Sequence, residues 1–136
     1  ADAGGKIITV HSVRAAAAAL DLIEANLPAD RGRIVLHWFT GSRAEAKRAV
    51  QLGCYFSINM EMLRTERHRD LVAFLPLERL LTETDGPFTK CDRRPTRPTD
   101  VAATIDALAR ARKMVTDSLS LAVVGNLNVL TNFGTN

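Results

Sequence analysis

An α/β fold built on a parallel sheet is what this sequence predicts. Short runs rich in β-branched residues alternate with longer stretches of helical character, and turn residues separate them. Four such strand–helix units fit into the 136 residues. A closed barrel needs eight parallel strands in roughly 250 residues. The chain therefore reads either as a small open α/β domain or as half of something larger.

Each element has its own signal. Residues 6–10 (Lys-Ile-Ile-Thr-Val) form a first strand that ends at His11. Residues 14–26 are rich in Ala, Leu and Ile and suit a helix, which Pro28 and Gly32 end. Residues 33–36 make a second strand, ending at His37. Gly41 and Ser42 read as a turn and an N-cap, with Glu45 placed to complete a capping box. The helix over 43–52 stops at Gly53, a common C-terminal signal. Residues 54–58 form a third strand, and 60–75 a charged amphipathic helix closed by Pro76. A fourth strand over 79–83 runs into Thr84-Asp85-Gly86-Pro87. A Pro- and Arg-rich loop follows over 89–99, with Thr99 or Asp100 as N-cap of a helix over 101–115. A last helix covers 119–130.

Composition narrows the function classes. Apolar residues make up 46% and charged residues 24%, which excludes a disordered or collagen-like chain. Apolar runs fall well short of the ~18 residues that a membrane span needs. The first residues lack a basic segment followed by an apolar one, so no secretory leader is expected. The two cysteines, Cys54 and Cys91, have no C-x-x-C spacing, so neither a disulfide framework nor a zinc knuckle is expected, and a reducing cytoplasm is the default location. A net charge of +3, carried mostly by Arg, suits a nucleic-acid partner but equally a mildly basic surface. Aromatic residues at 5% argue against a base-stacking platform.

The chemistry rests on His11, His37 and Asp85. Each lies at the C-terminal end of a predicted strand, and in a parallel α/β architecture those ends share one rim. Two imidazoles and a carboxylate are a ligand set for a hydrolytic divalent metal, although a single His after an apolar strand is usually structural. Around them, Gly41 and Ser42 at a helix N-terminus either cap it or hold a phosphate. Lys90, Arg93, Arg94 and Arg97 either follow a DNA backbone or form a solvated loop. Glu83 is a candidate to orient a ligand His, or else a strand residue paired with a cation. Trp38 either stacks on a base or packs under a loop. His68 reads as solvent-facing, Cys54 as core and Cys91 as an exposed thiol.

Two of these segments resemble a known family. Leu36-His37-Trp38-Phe39-Thr40-Gly41-Ser42 and Leu80-Leu81-Thr82-Glu83-Thr84-Asp85-Gly86-Pro87 are similar to the H-C-F-T-G and E-T-D-S-P signatures of the TatD metal-dependent deoxyribonucleases, with Trp38 for Cys and Gly86 for Ser. Ile7 to Ser12 resembles the family's apolar strand ending in a ligand His. Where the family has Arg two residues later, this chain has Val13, then Arg14. Asn128 to Gly134 resembles its closing N-x-x-x-L-F-G helix, with Asn132 for Leu. The form of the second motif and the Arg/Pro loop also resembles the TatD-like nuclease of Qat anti-phage defence systems.

The resemblance implies a TIM barrel of the amidohydrolase type, of which residues 1–136 supply the last four βα units as its C-terminal half. It implies His11, His37 and Asp85 as metal ligands, with Asp85 also the water-activating base. The cofactor would be Mg or Zn, one or two ions, and the substrate DNA, with Arg14, Ser42, Lys90 and Arg93 as candidate contacts. The family's H-x-H pair and its Glu ligand from the first half have no counterpart here, so a two-metal clamp is expected to be incomplete. A missing N-terminal half-barrel, or a partner subunit, is expected to cover the open edges, and the chain alone to self-associate. The alternative is a catalytically incomplete scaffold within a larger assembly.

Overall fold

The computed structural model describes residues 5–28 and 31–132. Four strands, β1 (Lys6–His11), β2 (Gly32–His37), β3 (Tyr55–Ile58) and β4 (Leu80–Thr82), form one sheet in the order β1-β2-β3-β4. Every neighbouring pair is parallel. Helices α1 (Ala16–Asn26), α2 (Arg43–Gln51) and α3 (Glu66–Phe74) connect the strands, while α4 (Val101–Ala111) and α5 (Thr116–Thr131) follow β4.

Strand alternation divides the sheet into two faces. Ile34 and Leu36 of β2, Phe56 and Ile58 of β3, and Leu80 of β4 point toward the helices. There they join Leu20, Ala46, Ala49, Val72, Leu108 and Leu119 in the main core. Val35, Tyr55 and Leu81, with Leu130 of α5, form a smaller cluster on the other face. On that second face the register lines up His11 with His37, His37 with Ser57, and Ser57 with Leu81. Two histidines thus reach one rim because both strands end in register, with the same residue parity.

The outer elements differ from expectation in several places. The helix expected over 60–75 is a 3-10 turn (Met60–Leu63) followed by α3, because two side chains cap two separate starts. Asn59 Oδ1 accepts from Met62 N (3.2 Å), and Thr65 Oγ1 accepts from His68 N (3.3 Å). The first helix starts at Ala16 rather than at residue 14, since Arg14 has a left-handed φ of 55° that no helix accommodates. The loop over 89–99 contains a small hairpin, β5 (Lys90–Cys91) and β6 (Arg94–Pro95), turned by Asp92 and Arg93 at φ 49° and 66°. Asp100 does not cap α4 with its side chain. Its carboxylate instead takes two bonds from Arg94 (2.7 and 2.8 Å) and one from Arg97 N (2.7 Å).

The helix expected over 101–115 ends at Ala111, since Lys113 takes a left-handed φ of 54°, and α5 begins at Thr116 rather than at residue 119. Ser42 and Glu45 form the capping box of α2, and Gly53 takes the left-handed φ of 77° just past its end. Cys54 is buried as expected, which pushes its thiol up to about 11, whereas Cys91, expected as an exposed thiol, is half-buried. Arg112, beyond α4, caps the end of α3 by donating to the carbonyls of Val72 (2.9 Å), Ala73 (3.3 Å) and Leu75 (2.8 Å). The closing motif at residues 128–134 lies on α5 as far as Thr131, and Phe133 and Gly134 fall outside the described residues. No single helix among the described residues is long and apolar enough to cross a membrane.

Candidate metal centre

The site is built around the His37 imidazole. Its Nδ1 lies 2.7 Å from Glu83 Oε1 and its Nε2 lies 3.2 Å from Asp85 Oδ1. All three side chains are at most one-fifth exposed (20%, 18% and 13%). The two carboxylates arrive by different routes. Glu83 extends the ladder of β4, since its N–H donates to Ile58 O (2.9 Å), and it shares a face with Leu81. Asp85 lies beyond the ladder, in a left-handed conformation at φ 55°. Its carbonyl accepts from the N–H groups of Phe88 (2.9 Å) and Thr89 (3.2 Å).

That loop is fastened from beneath. Thr84 O accepts from the hydroxyls of Thr89 and Thr96, and Thr89 is buried. Gly86 lies against the backbone of Thr96. A Cβ placed there would stand 2.1 Å from Thr96 O, so the serine of the related signature has no room in this chain.

His11 stands beside His37 with ring centroids 5.1 Å apart. Trp38, at φ 51°, turns back so that its indole meets both imidazoles edge-on, at 6.3 and 6.4 Å. It also packs against the main core, the commoner fate for such a residue. The buried Ser12 ties the strand ends together, its N–H and its hydroxyl each reaching His37 O at 3.2 Å.

The donor chemistry fits a cation. Facing a carboxylate at 2.7 Å, His37 Nδ1 is the hydrogen-bond donor, and a neutral imidazole has only one N–H. In the neutral ring the Nε2 lone pair then faces the Asp85 carboxylate, and either a second ring proton or a metal ion between the two atoms satisfies both. Metal–nitrogen and metal–oxygen bonds of about 2.1 Å put two donors of one ion about 3 Å apart, close to the 3.2 Å seen here. Among the described residues no three His, Cys, Asp or Glu side chains already stand as a metal cage. The pair His37 and Asp85 has ligand spacing, and His11, exposed on the edge strand, adjoins it without closing the set.

The remaining sequence candidates lie around this pair. Ser42 is committed to the capping box, its hydroxyl accepting from Glu45 N (3.2 Å). Arg14 is exposed, and its N–H meets Thr40 Oγ1 at 3.4 Å. Lys90 and Arg93 are exposed on the hairpin, whereas Arg94 is taken up by Asp100. Asn59 is a residue that sequence reasoning missed. It is fully buried, and its Nδ2 donates to Glu83 Oε1 at 3.0 Å.

The family described as TatD related DNase matches residues 1–132. The chain belongs to the TatD family. Its four βα units have the TIM-barrel, amidohydrolase-like architecture of that family. They superpose on the crystal structure of YjjV, the TatD homologue from Escherichia coli K12, with a TM-score of 0.80 at 29% identity over 93% of this chain. In sequence, this TatD-family chain is 34% identical over 103 residues to the metal-dependent hydrolase YjjV of Escherichia coli, covering 72% of this chain and 40% of that protein. It is 37% identical over 86 residues to deoxyribonuclease Tat-D of Schizosaccharomyces pombe, covering 63% of this chain and 27% of that protein. The chain spans half the length of the solved YjjV chain.

Proposed function

We propose that this chain carries the C-terminal half of the catalytic rim of a TatD-type metal-dependent deoxyribonuclease. The observation behind this reading is the His37 imidazole held between Glu83 and Asp85, with His11 beside it. His11, His37 and Asp85 would hold a divalent ion, magnesium or zinc, with neutral imidazole and carboxylate donors that suit either. Such an ion supplies Lewis acidity at a phosphoryl oxygen and lowers the pKa of a water. Glu83 fixes the ring of His37 through Nδ1, and Asp85 is the base that accepts the proton of the attacking water. Lys90 and Arg93 on the hairpin, with Arg14 across the rim, would attract the DNA backbone without reading its sequence. Ser42 contributes by shaping the start of α2.

The rest of the barrel completes the reading. Among the described residues β1 has no strand on its side away from β2, and Ile7, Ile8 and Leu22 beside it are 42%, 41% and 66% exposed. Further βα units covering this edge would supply both the missing strands and the remaining metal donors, which the chain's coverage of half the YjjV chain supports. Resemblance of the Asp85 loop to the Qat nuclease extends the proposal to phage DNA cut in the cytoplasm.

The test is cleavage of a labelled DNA strand by the full protein with magnesium or zinc. Chelation and His37→Ala are each expected to abolish cutting, and His37→Ala to weaken metal binding by at least about tenfold, read by titration. Indifference to both would support the scaffold reading and end the nuclease one.

A further inference from the structure

We propose that Asn59 is a positioning residue of this centre: its amide holds the Glu83 carboxylate against His37 Nδ1 and so keeps Nε2 turned toward Asp85. The inference rests on the metal-centre reading above and adds the residue that sets it. Asn59 follows β3 directly and is fully buried between Ile58 and Met62 of the core. A buried amide is retained only where its donor and acceptor are both used, and here each finds one partner. The orientation of the amide follows from those partners. Met62 N–H can only donate, so the atom facing it at 3.2 Å is Oδ1. The carboxylate of Glu83 can only accept, so the atom facing it at 3.0 Å is Nδ2.

A cap needs only the acceptor half. Ser, Thr or Asp would serve the 3-10 turn as well, and what Asn adds is the donor aimed at Glu83. Glu83 Oε1 therefore receives two donors, Asn59 Nδ2 at 3.0 Å and His37 Nδ1 at 2.7 Å. The relay joins the ends of β3, β4 and β2 in that order. With Asn59 in place, one face of the Glu83 carboxylate is fixed before any ligand arrives. In the neutral ring, with Nδ1 occupied as a donor, the lone pair of His37 is on Nε2.

Two variants keep the cap's acceptor and remove the amide N–H that meets Glu83. Asn59→Ser retains a hydroxyl acceptor, and Asn59→Asp is isosteric but sets a second carboxylate against Glu83. In the metal-free full chain, nitrogen-15 spectra of the histidine rings are expected to show His37 with its proton on Nδ1, and both variants to lose that preference. Zinc affinity, read by competition with a chelating dye, is expected to fall about 10- to 100-fold. Folded variants that keep the native His37 ring signals and zinc affinity would overturn the proposal. Glu83→Gln, on the partly exposed side of the relay, serves if neither variant folds. The Asn59 side-chain amide and the His37 ring signals are expected to move together, and movement of His37 alone would leave Asn59 a cap and overturn the proposal. A wild-type chain that binds no zinc, yet loses the His37 tautomer in Asn59→Ser, would instead retire the metal reading and leave the positioning role standing.

Discussion

At the scale of single residues, the position of Asp85 depends on what lies beneath it. The left-handed backbone there is tolerated by Asp better than by most residues, and the following Gly86 is pressed on Thr96. Restoring the serine of the related signature, Gly86→Ser, is expected to push the β5–β6 hairpin off the Asp85 loop. Trypsin is then expected to cut after Lys90 and Arg93 several-fold faster than in the wild type, with a lower Tm. An unchanged digestion rate would mean that the loop accommodates the side chain by other means. The histidines were legible in the sequence because strand ends of a parallel sheet share a rim, whatever the helices do. Asn59 was not. It falls between the strand expected over 54–58 and the helix expected over 60–75, and makes its decisive bond to a residue 24 positions away.

At the scale of elements, the hairpin is the piece that local reading could not supply. Two-residue turns with both φ values positive are usually announced by Asn-Gly or Asp-Gly, whereas this one uses Asp92 and Arg93. Its anchor is electrostatic. The Arg94 guanidinium, and then the backbone N–H of Arg97, hold the Asp100 carboxyl at about 2, below the ordinary 3.8. A depressed carboxylate stabilises the fold above its unfolded value and loses that contribution as pH falls through the folded one. The hairpin is therefore expected to stay docked from neutral pH down to about 4 and to release between there and 2, followed by amide exchange across β5 and β6. Asp100→Asn is expected to release it already at neutral pH, with no further acid step. The broken helix at residues 60–75 has the same lesson as the hairpin. The apolar spacing of that stretch is helical throughout, and only the competing caps at Asn59 and Thr65 divide it.

At the scale of the molecule, the sheet is covered on its helix side and open along β1, one of its two edge strands among the described residues. A groove of about 520 Å³ runs between β1 and α1, lined by Ile8, Val10, Leu22, Ile23 and Leu27 among others. Exposed parallel edges with apolar flanks invite pairing. The chain alone is expected to self-associate with rising concentration, and Ile8→Lys, a charge on the edge, to reduce this in sedimentation runs. A wild-type chain that stays monomeric throughout would show that the edge is protected in some other way. The alternation of strands and helices made the architecture readable in advance, because burial of one sheet face imposes it on every unit. The open edge has a thermodynamic corollary. His11 is carried on β1, which among the described residues pairs only with β2, and its register partner is His37. An ion shared by the two rings would be linked to whatever pins β1, and linkage is reciprocal. The factor by which a covering segment tightens the ion is the factor by which the ion tightens the covering segment, so metal depletion alone would loosen the assembly.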